Sequence, residues 1–118
     1  MKGQIGMKVN KANVDHYIWG EGCDGWFLEK DTERTIIQER MPAGTSEALH
    51  VHQKAKQFFF MLSGEAVMWI DGQETTLQKH DGCTINPGTP HQIRNDSHVD
   101  NEFIVISTPS TRGDRTEL

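Results

Sequence analysis

Two histidines two residues apart, His50 and His52, are the side chains best placed to do chemistry. They stand among residues that favour an extended strand, where side chains two apart point to the same face. Neutral imidazole is the commonest metal ligand among side chains, so this spacing predicts that both rings share one ion. His91 is the best third ligand, because it follows a Pro-Gly turn and begins another strand pattern. The working hypothesis is a metal site assembled across strands.

The rest of the chain shows short strand patterns separated by turn residues, with almost no helical periodicity. Asp71-Gly72 is a strong signal for a two-residue hairpin turn. Pro42 ends the predicted strand at residues 35–41. Turns at intervals of about 8 to 12 residues predict an all-β sandwich or barrel of antiparallel strands. The predicted strands are an aromatic hairpin at 16–30 and residues 35–41, 49–52, 57–62, 66–70, 75–77, 83–85, 91–94 and 103–107.

Length and charge limit the classes of partner. A chain of 118 residues suits one domain, with an extended arm at 1–12 and a polar, irregular tail at 108–118. The net charge is −5 and the basic residues are scattered among acids, so we expect no nucleic-acid or membrane partner. No stretch approaches the roughly 20 apolar residues of a membrane span, and we expect a cytoplasmic protein. Cys23 and Cys83 lie outside any CxxC pattern, which predicts free thiols.

Two stretches of the sequence resemble the metal-binding motifs of the cupin superfamily. In the first, Gly44, His50, His52 and Gly64 keep the family's spacing, and Gln57 stands where the family usually has Glu. In the second, the family's opening Gly falls on a histidine, which can hold the left-handed conformation that the turn needs. The residues that carry the second resemblance are His80, Asp81, Pro87, Gly88, His91 and Asn95.

The resemblance implies an all-β double-stranded β-helix, or jelly-roll barrel, as a single small cupin domain over residues 1–118. Its motif core covers about 41–107. The implied metal ligands are His50, His52, Gln57 and His91, around a divalent Fe, Mn, Ni, Zn, Co or Cu ion. Two alternatives stay open: the Gln57 amide hydrogen-bonds to a ligating imidazole instead, or the histidines are core residues of a barrel without metal.

Gln57 in place of Glu changes the charge of the implied centre. Three neutral imidazoles and an amide leave a divalent ion at +2, whereas a carboxylate ligand leaves it at +1. Such a centre attracts an anion and polarises it as a Lewis acid. Because no ligand is acidic, a proton acceptor has to come from Tyr17, His16, Glu47 or a metal-bound hydroxide.

The strand at 57–62 is apolar on both faces. We expect the loop before it to bring Gln57 opposite the histidine pair on the neighbouring strand. If Gln57 faces inward, Phe59 and Met61 face inward too and form an apolar pocket wall. The outward residues then need a cover, which is the N-terminal arm with Trp19 and Trp26 or a second subunit. The sequence thus predicts a homodimer with Phe58, Phe60 and Leu62 on the outer face.

Three functions are compatible with these residues. The first is a metal-dependent enzyme of dioxygenase, isomerase or decarboxylase type that acts on a small polar or anionic organic molecule. The second is a non-catalytic module that binds or senses metal or a small, sugar-like molecule. The third, a metal-free sugar epimerase or binding barrel, is disfavoured by the intact histidine set. The fold hosts many activities, so the resemblance does not choose between the first two.

Overall fold

A computed structural model describes residues 7–118, and within them the chain forms eleven strands and no helix. The prediction of an all-β protein is therefore confirmed. In chain order the strands are β1 His16–Trp19, β2 Cys23–Lys30, β3 Thr35–Met41, β4 His50–His52, β5 Lys56–Ser63, β6 Ala66–Ile70, β7 Gln73–Leu77, β8 Gly82–Ile85, β9 His91–Arg94, β10 Asn101–Thr108 and β11 Arg115–Glu117.

The strands form two antiparallel sheets. The larger sheet has the order β1-β2-β3-β10-β5-β8, and the smaller has the order β11-β4-β9-β6-β7. Strands that follow one another in sequence often lie in different sheets, as β4 and β5 do, so the chain winds around the molecule. This is the jelly-roll barrel that the sequence predicts.

The core lies between the two sheets and is built from the inward side chains of each strand. On β5 the buried positions alternate, with Gln57, Phe59 and Met61 inward, as predicted. Phe103 and Val105 face them from the neighbouring strand β10. The apolar row therefore ends at Gln57, where polar side chains take over.

Two local predictions about turns are confirmed. Asp71 and Gly72 both have positive φ, 45° and 93°, and join β6 to β7 as a tight hairpin. His80 has φ 70° in the turn before β8, in the left-handed region, and its ring stacks on Phe60.

Cys23 and Cys83 are free thiols, as the sequence predicts.

The prediction of an irregular tail at 108–118 is wrong in part: residues 109–114 lie outside the strands, but Thr108 ends β10 and a further strand follows. Residues 115–117 form β11, which pairs with β4 so that Arg115 lies opposite His52 and Glu117 opposite His50. All three strand residues are exposed, so no apolar alternation marks them in the sequence. The pairing rests on backbone hydrogen bonds, which the side-chain pattern does not reveal.

The outer face of β5 is not covered by the aromatic hairpin. Trp19 and Trp26 lie on β1 and β2, and β3 and β10 separate β2 from β5 in the sheet. Phe58 remains 39% exposed. The prediction that these tryptophans cover β5 is therefore wrong. Residues 1–6 of the predicted arm lie outside the described residues.

Since residues 7–118 contain no helix, that part of the chain has no helical segment able to cross a membrane. The cytoplasmic location stays a prediction.

Candidate metal centre

The three histidines singled out in the sequence come together between the sheets. His50 and His52 lie on β4, and His91 pairs with His50 at the start of β9. Their candidate ligand nitrogens all lie within 4.8 Å of one another. The residues are 2%, 4% and 1% exposed, in the same order, so the cluster is shielded from bulk water.

Backbone carbonyls determine which ring nitrogen of each histidine carries the proton. The Nδ1 atoms of His50, His52 and His91 lie 2.8–2.9 Å from the carbonyl oxygens of Ala48, Asp114 and Thr89, respectively. A carbonyl oxygen only accepts, so each Nδ1 donates its hydrogen and each neutral ring keeps a lone pair on Nε2. This arrangement orients imidazole ligands at metal sites.

Gln57 reaches this cluster from the opposite sheet. It lies on β5, which pairs with β8 and β10, so the prediction of a neighbouring strand is wrong. Its Nε2 donates to the Ser107 hydroxyl at 3.0 Å, and its Oε1 lies 3.0 Å from the Nε2 of His91. The two facing atoms both carry lone pairs, so a shared cation satisfies both. Two ligands that lie about 2.1 Å from one ion and at about 90° to each other, as in octahedral geometry, are about 3.0 Å apart, so this spacing suits a metal of that geometry.

Two histidines of the cluster, His50 and His52, line a cavity of about 190 Å³ together with Gln57, whereas His91 is not among its lining residues. Phe59, Ile37 and Val105 supply apolar wall, whereas Met61 lies fully buried in the core, so only Phe59 of the two predicted wall residues lines the cavity. A second cavity of about 380 Å³ shares part of its lining with the first. The side chains that line both cavities are Tyr17, Glu39, Glu47 and Arg115.

The cupin domain model matches residues 37–107, which is more than half of the chain. The chain belongs to the cupin family. A predicted oxalate decarboxylase from Thermotoga maritima has a similar fold, with a TM-score of 0.78 at 23% identity over 88% of this chain and 100% of that one.

Three proteins are related to this cupin in sequence. An uncharacterised protein of Methanocaldococcus jannaschii is 27% identical over 97% of this chain and 98% of its own length. An oxalate-binding protein of Thermotoga maritima is 29% identical over 62% of this chain and 60% of its own length. Quercetin 2,3-dioxygenase of Bacillus subtilis is 32% identical over 66% of this chain, and the match spans 21% of that enzyme.

Burial keeps the histidines of this cupin neutral. Desolvation lowers the pKa of His50 to about 3 and also lowers the pKa of His52 and His91. At neutral pH the three rings therefore carry no charge. A metal that binds them displaces no proton from Nε2.

Two of the three side chains predicted as proton acceptors reach the cupin cavity. Tyr17 and Glu47 line it, whereas His16 points to the other face of β1 and contacts Asp24 at 2.7 Å, so His16 is excluded. The Tyr17 hydroxyl donates to Glu39 at 3.2 Å. Burial, together with the charge of Glu39, raises the pKa of Tyr17 well above its usual range. Tyr17 therefore acts as a hydrogen-bond donor at neutral pH.

The ring of Tyr17 is held by a close approach to the backbone. A Cβ on Gly25 would lie 2.2 Å from the Tyr17 ring, so only glycine fits opposite it on β2. The ring centre of Phe27 lies 5.0 Å from that of Tyr17. These contacts place the hydroxyl at the cavity wall beside Glu39.

Sequence reasoning missed Glu39 and Arg115. Glu39 shares the inward face of β3 with Thr35 and Ile37, so an acid in an otherwise buried row was the available signal. Burial raises the pKa of Glu39 to about 7 and that of Glu47 to about 8, against the opposing effect of the Arg115 guanidinium. Glu47 accepts a hydrogen bond from the backbone N–H of Ile93 at 3.0 Å. The cavity wall thus holds carboxyl groups that keep a proton near neutral pH.

Replacing Glu39 with glutamine is expected to stabilise the metal-free protein more at pH 8 than at pH 5. The folded protein holds the Glu39 proton up to a pKa of about 7, above the ordinary value of 4.5, so ionisation costs stability as the pH rises through this window. The variant lacks this cost. Urea unfolding measures the free energy of unfolding of both proteins at the two pH values. The difference, variant minus wild type, should be roughly 1–3 kcal/mol larger at pH 8 than at pH 5.

The matched control is Glu33→Gln, which changes an exposed glutamate. A difference between wild type and Glu39→Gln that stays constant across this pH range would contradict a buried, proton-holding Glu39.

Proposed function

We propose that this cupin is a metal-dependent enzyme that acts on a small polar or anionic organic molecule. Its ion is a divalent transition metal held by His50, His52 and His91, with the Gln57 amide oxygen as fourth ligand. The observation that carries the proposal is the buried cluster of three histidines whose ligand nitrogens lie within 4.8 Å of one another, with the Gln57 amide oxygen 3.0 Å from the Nε2 of His91. Three nitrogens and an oxygen suit Fe, Mn, Ni, Zn, Co or Cu. When bound, the metal supplies a Lewis acid that polarises a substrate oxygen.

The charge of the cavity supports an anionic substrate. Arg115 is the one Lys or Arg side chain, among the described residues, that lines the two cavities around the site. A guanidinium binds carboxylates through paired hydrogen bonds. The small inner volume favours a compact acid, and the likeness to an oxalate-binding protein supports the same class. Small carboxylic acids, including oxalate, are therefore the first compounds to test.

The carboxyl groups at the cavity wall supply the acid–base function that the ligand set lacks. Glu39 keeps its proton near neutral pH and accepts a hydrogen bond from Tyr17. A carboxyl group whose pKa lies near the working pH exchanges protons efficiently in either direction. Glu39 is thus suited to hold or deliver a proton next to a bound acid.

The second candidate is a binding module without turnover, and the oxalate-binding relative favours it. Calorimetry on protein loaded with each ion detects binding of small carboxylic acids, while oxygen uptake and carbon dioxide release detect turnover. Turnover supports the enzyme, and binding without turnover supports the module. If metal-loaded protein neither binds nor converts any of these acids, small carboxylic acids are contradicted as the substrate or ligand class.

Gln57→Glu is expected to raise metal affinity by about tenfold, which is about 1.4 kcal/mol, because a carboxylate ligand lowers the net charge of the centre from +2 to +1. Gln57→Ala is expected to lower the affinity by a similar factor. Titration against a chromophoric chelator measures both changes. Gln73→Glu, at an exposed position on β7, is the matched control. If neither Gln57 variant differs from this control, Gln57 is not a ligand.

We also infer a homodimer through the outer face of the larger sheet. Phe58 pairs with Ile106, which pairs with Ile36, so an apolar row crosses three strands on this face. Burying such a row against a second copy removes it from water. Sedimentation velocity on purified protein should give twice the chain mass, and a monomer at micromolar concentration would contradict the inference.

A further inference from the structure

The C-terminal segment, residues 111–118, borders the candidate metal centre along β4. A turn precedes β11, in which the Asp114 N–H donates to the Thr111 carbonyl at 2.9 Å. Gly113 has φ +73° in this turn, a left-handed conformation that favours glycine. At the other end of β11, the Leu118 N–H donates to the Leu49 carbonyl at 3.0 Å. These bonds place Asp114 beside the loop that joins β4 to β5.

The carboxylate of Asp114 binds the backbone of that loop. Oδ1 accepts from the N–H groups of Gln53 and Lys54 at 3.1 and 3.2 Å, and Oδ2 accepts from Lys54 and Ala55 at 3.1 and 2.9 Å. Desolvation raises the pKa of Asp114, but the hydrogen bonds from these backbone amides lower it by more, so the net shift is downward. An ionised side chain thus holds three consecutive amides between His52 and Gln57.

The backbone of the same residue determines the state of one histidine. The Asp114 carbonyl accepts the hydrogen bond from His52 Nδ1 at 2.9 Å. His50 and His91 are held instead by carbonyls two residues earlier in their own segments. His52 therefore depends on a residue 62 positions away in sequence, and the carbonyl stays in place only while the C-terminal segment remains beside β4 and its loop.

We propose that Asp114 is a positioning residue for metal binding, which acts through His52. Its carboxylate ties the C-terminal segment to the β4–β5 loop, and its carbonyl then keeps His52 protonated on Nδ1 with Nε2 free for the ion. The inference rests on the proposed metal site. Removing the hydrogen-bond partner of a ligating imidazole typically lowers metal affinity by about 10–100-fold.

Asp114→Ala tests the proposal with two readouts. Long-range ¹H–¹⁵N spectra of the metal-free protein report which nitrogen of each imidazole carries the proton, and chelator competition reports the affinity for Mn²⁺ or Zn²⁺. We expect His52 to lose its single Nδ1–H form while His50 and His91 keep theirs. We expect affinity to fall by about 10–100-fold. Asp114→Asn, which retains one oxygen acceptor, should show both changes to a smaller extent and serves if the alanine variant does not fold.

Asp96→Ala is the matched control, because Asp96 is an exposed carboxylate paired with Arg94. If the Asp114 variants lose stability while the His52 spectrum and the metal affinity match this control, the role of Asp114 is structural only and the proposal is overturned. If the wild type binds no metal, the proposed function fails. The His52 spectrum of the metal-free protein then still decides whether Asp114 sets the protonation of that ring.

Discussion

Replacing His91 with alanine is expected to lower the affinity for a divalent transition metal by about two orders of magnitude. Sites with four protein ligands bind zinc with apparent energies of about 10–16 kcal/mol, so one ligand contributes about 3 kcal/mol. The loss also leaves the Gln57 oxygen without the partner atom that lies 3.0 Å away. Competition with a chromophoric chelator measures the affinity of wild type and variant for each ion.

His98→Ala is the control for this prediction, because His98 is exposed and lies outside the histidine cluster. It should bind metal as the wild type does. Equal affinity of His91→Ala and His98→Ala would show that His91 is not a ligand.

Replacing Phe103 with alanine is expected to lower the free energy of unfolding by about 3–5 kcal/mol. Phe103 lies fully buried on β10, and its ring centre lies 5.9 Å from that of Phe59, which lines the cavity beside the histidines. Removing the ring leaves a hole between the sheets that neighbouring strands cannot close without shifting. Urea unfolding of the metal-free protein, followed by circular dichroism, gives the midpoint and slope of the transition and from them the free energy of unfolding.

Ile18→Ala serves as the control for this prediction, since Ile18 is 63% exposed on β1. It should change the unfolding free energy by less than about 0.5 kcal/mol. If Phe103→Ala lowers the free energy of unfolding by no more than Ile18→Ala does, the core does not lie between the sheets around β10.

The features predicted correctly depend on local pattern. Alternation along β5 placed Gln57 and Phe59 on one face, and that face is buried. The Asp71-Gly72 pair identified its hairpin, because the turn needs residues that accept positive φ. The spacing of His50 and His52 was enough to place both rings on one face of a strand, because a strand has a period of two.

The features that sequence reasoning missed depend on contacts between distant segments. Gln57 approaches His91 across the two sheets, and no spacing within one segment encodes which sheet a strand joins. Arg115 lines the cavity from a short strand of exposed polar residues, which pairs with β4 through its backbone and has no apolar pattern. Glu39 is the exception: its position in the inward row of β3 was readable, but an acid in a short amphipathic strand was not recognised as a cavity residue.

Metal content tests the central claim most directly. Wild-type protein without a tag and the His50→Ala/His91→Ala double variant are exposed in turn to Fe, Mn, Ni, Zn, Co and Cu, dialysed, and measured by elemental mass spectrometry. We expect about one transition metal ion per chain in the wild type and none in the variant. A wild type that retains no ion, or a double variant that retains as much as the wild type, would contradict a metal centre built on these histidines.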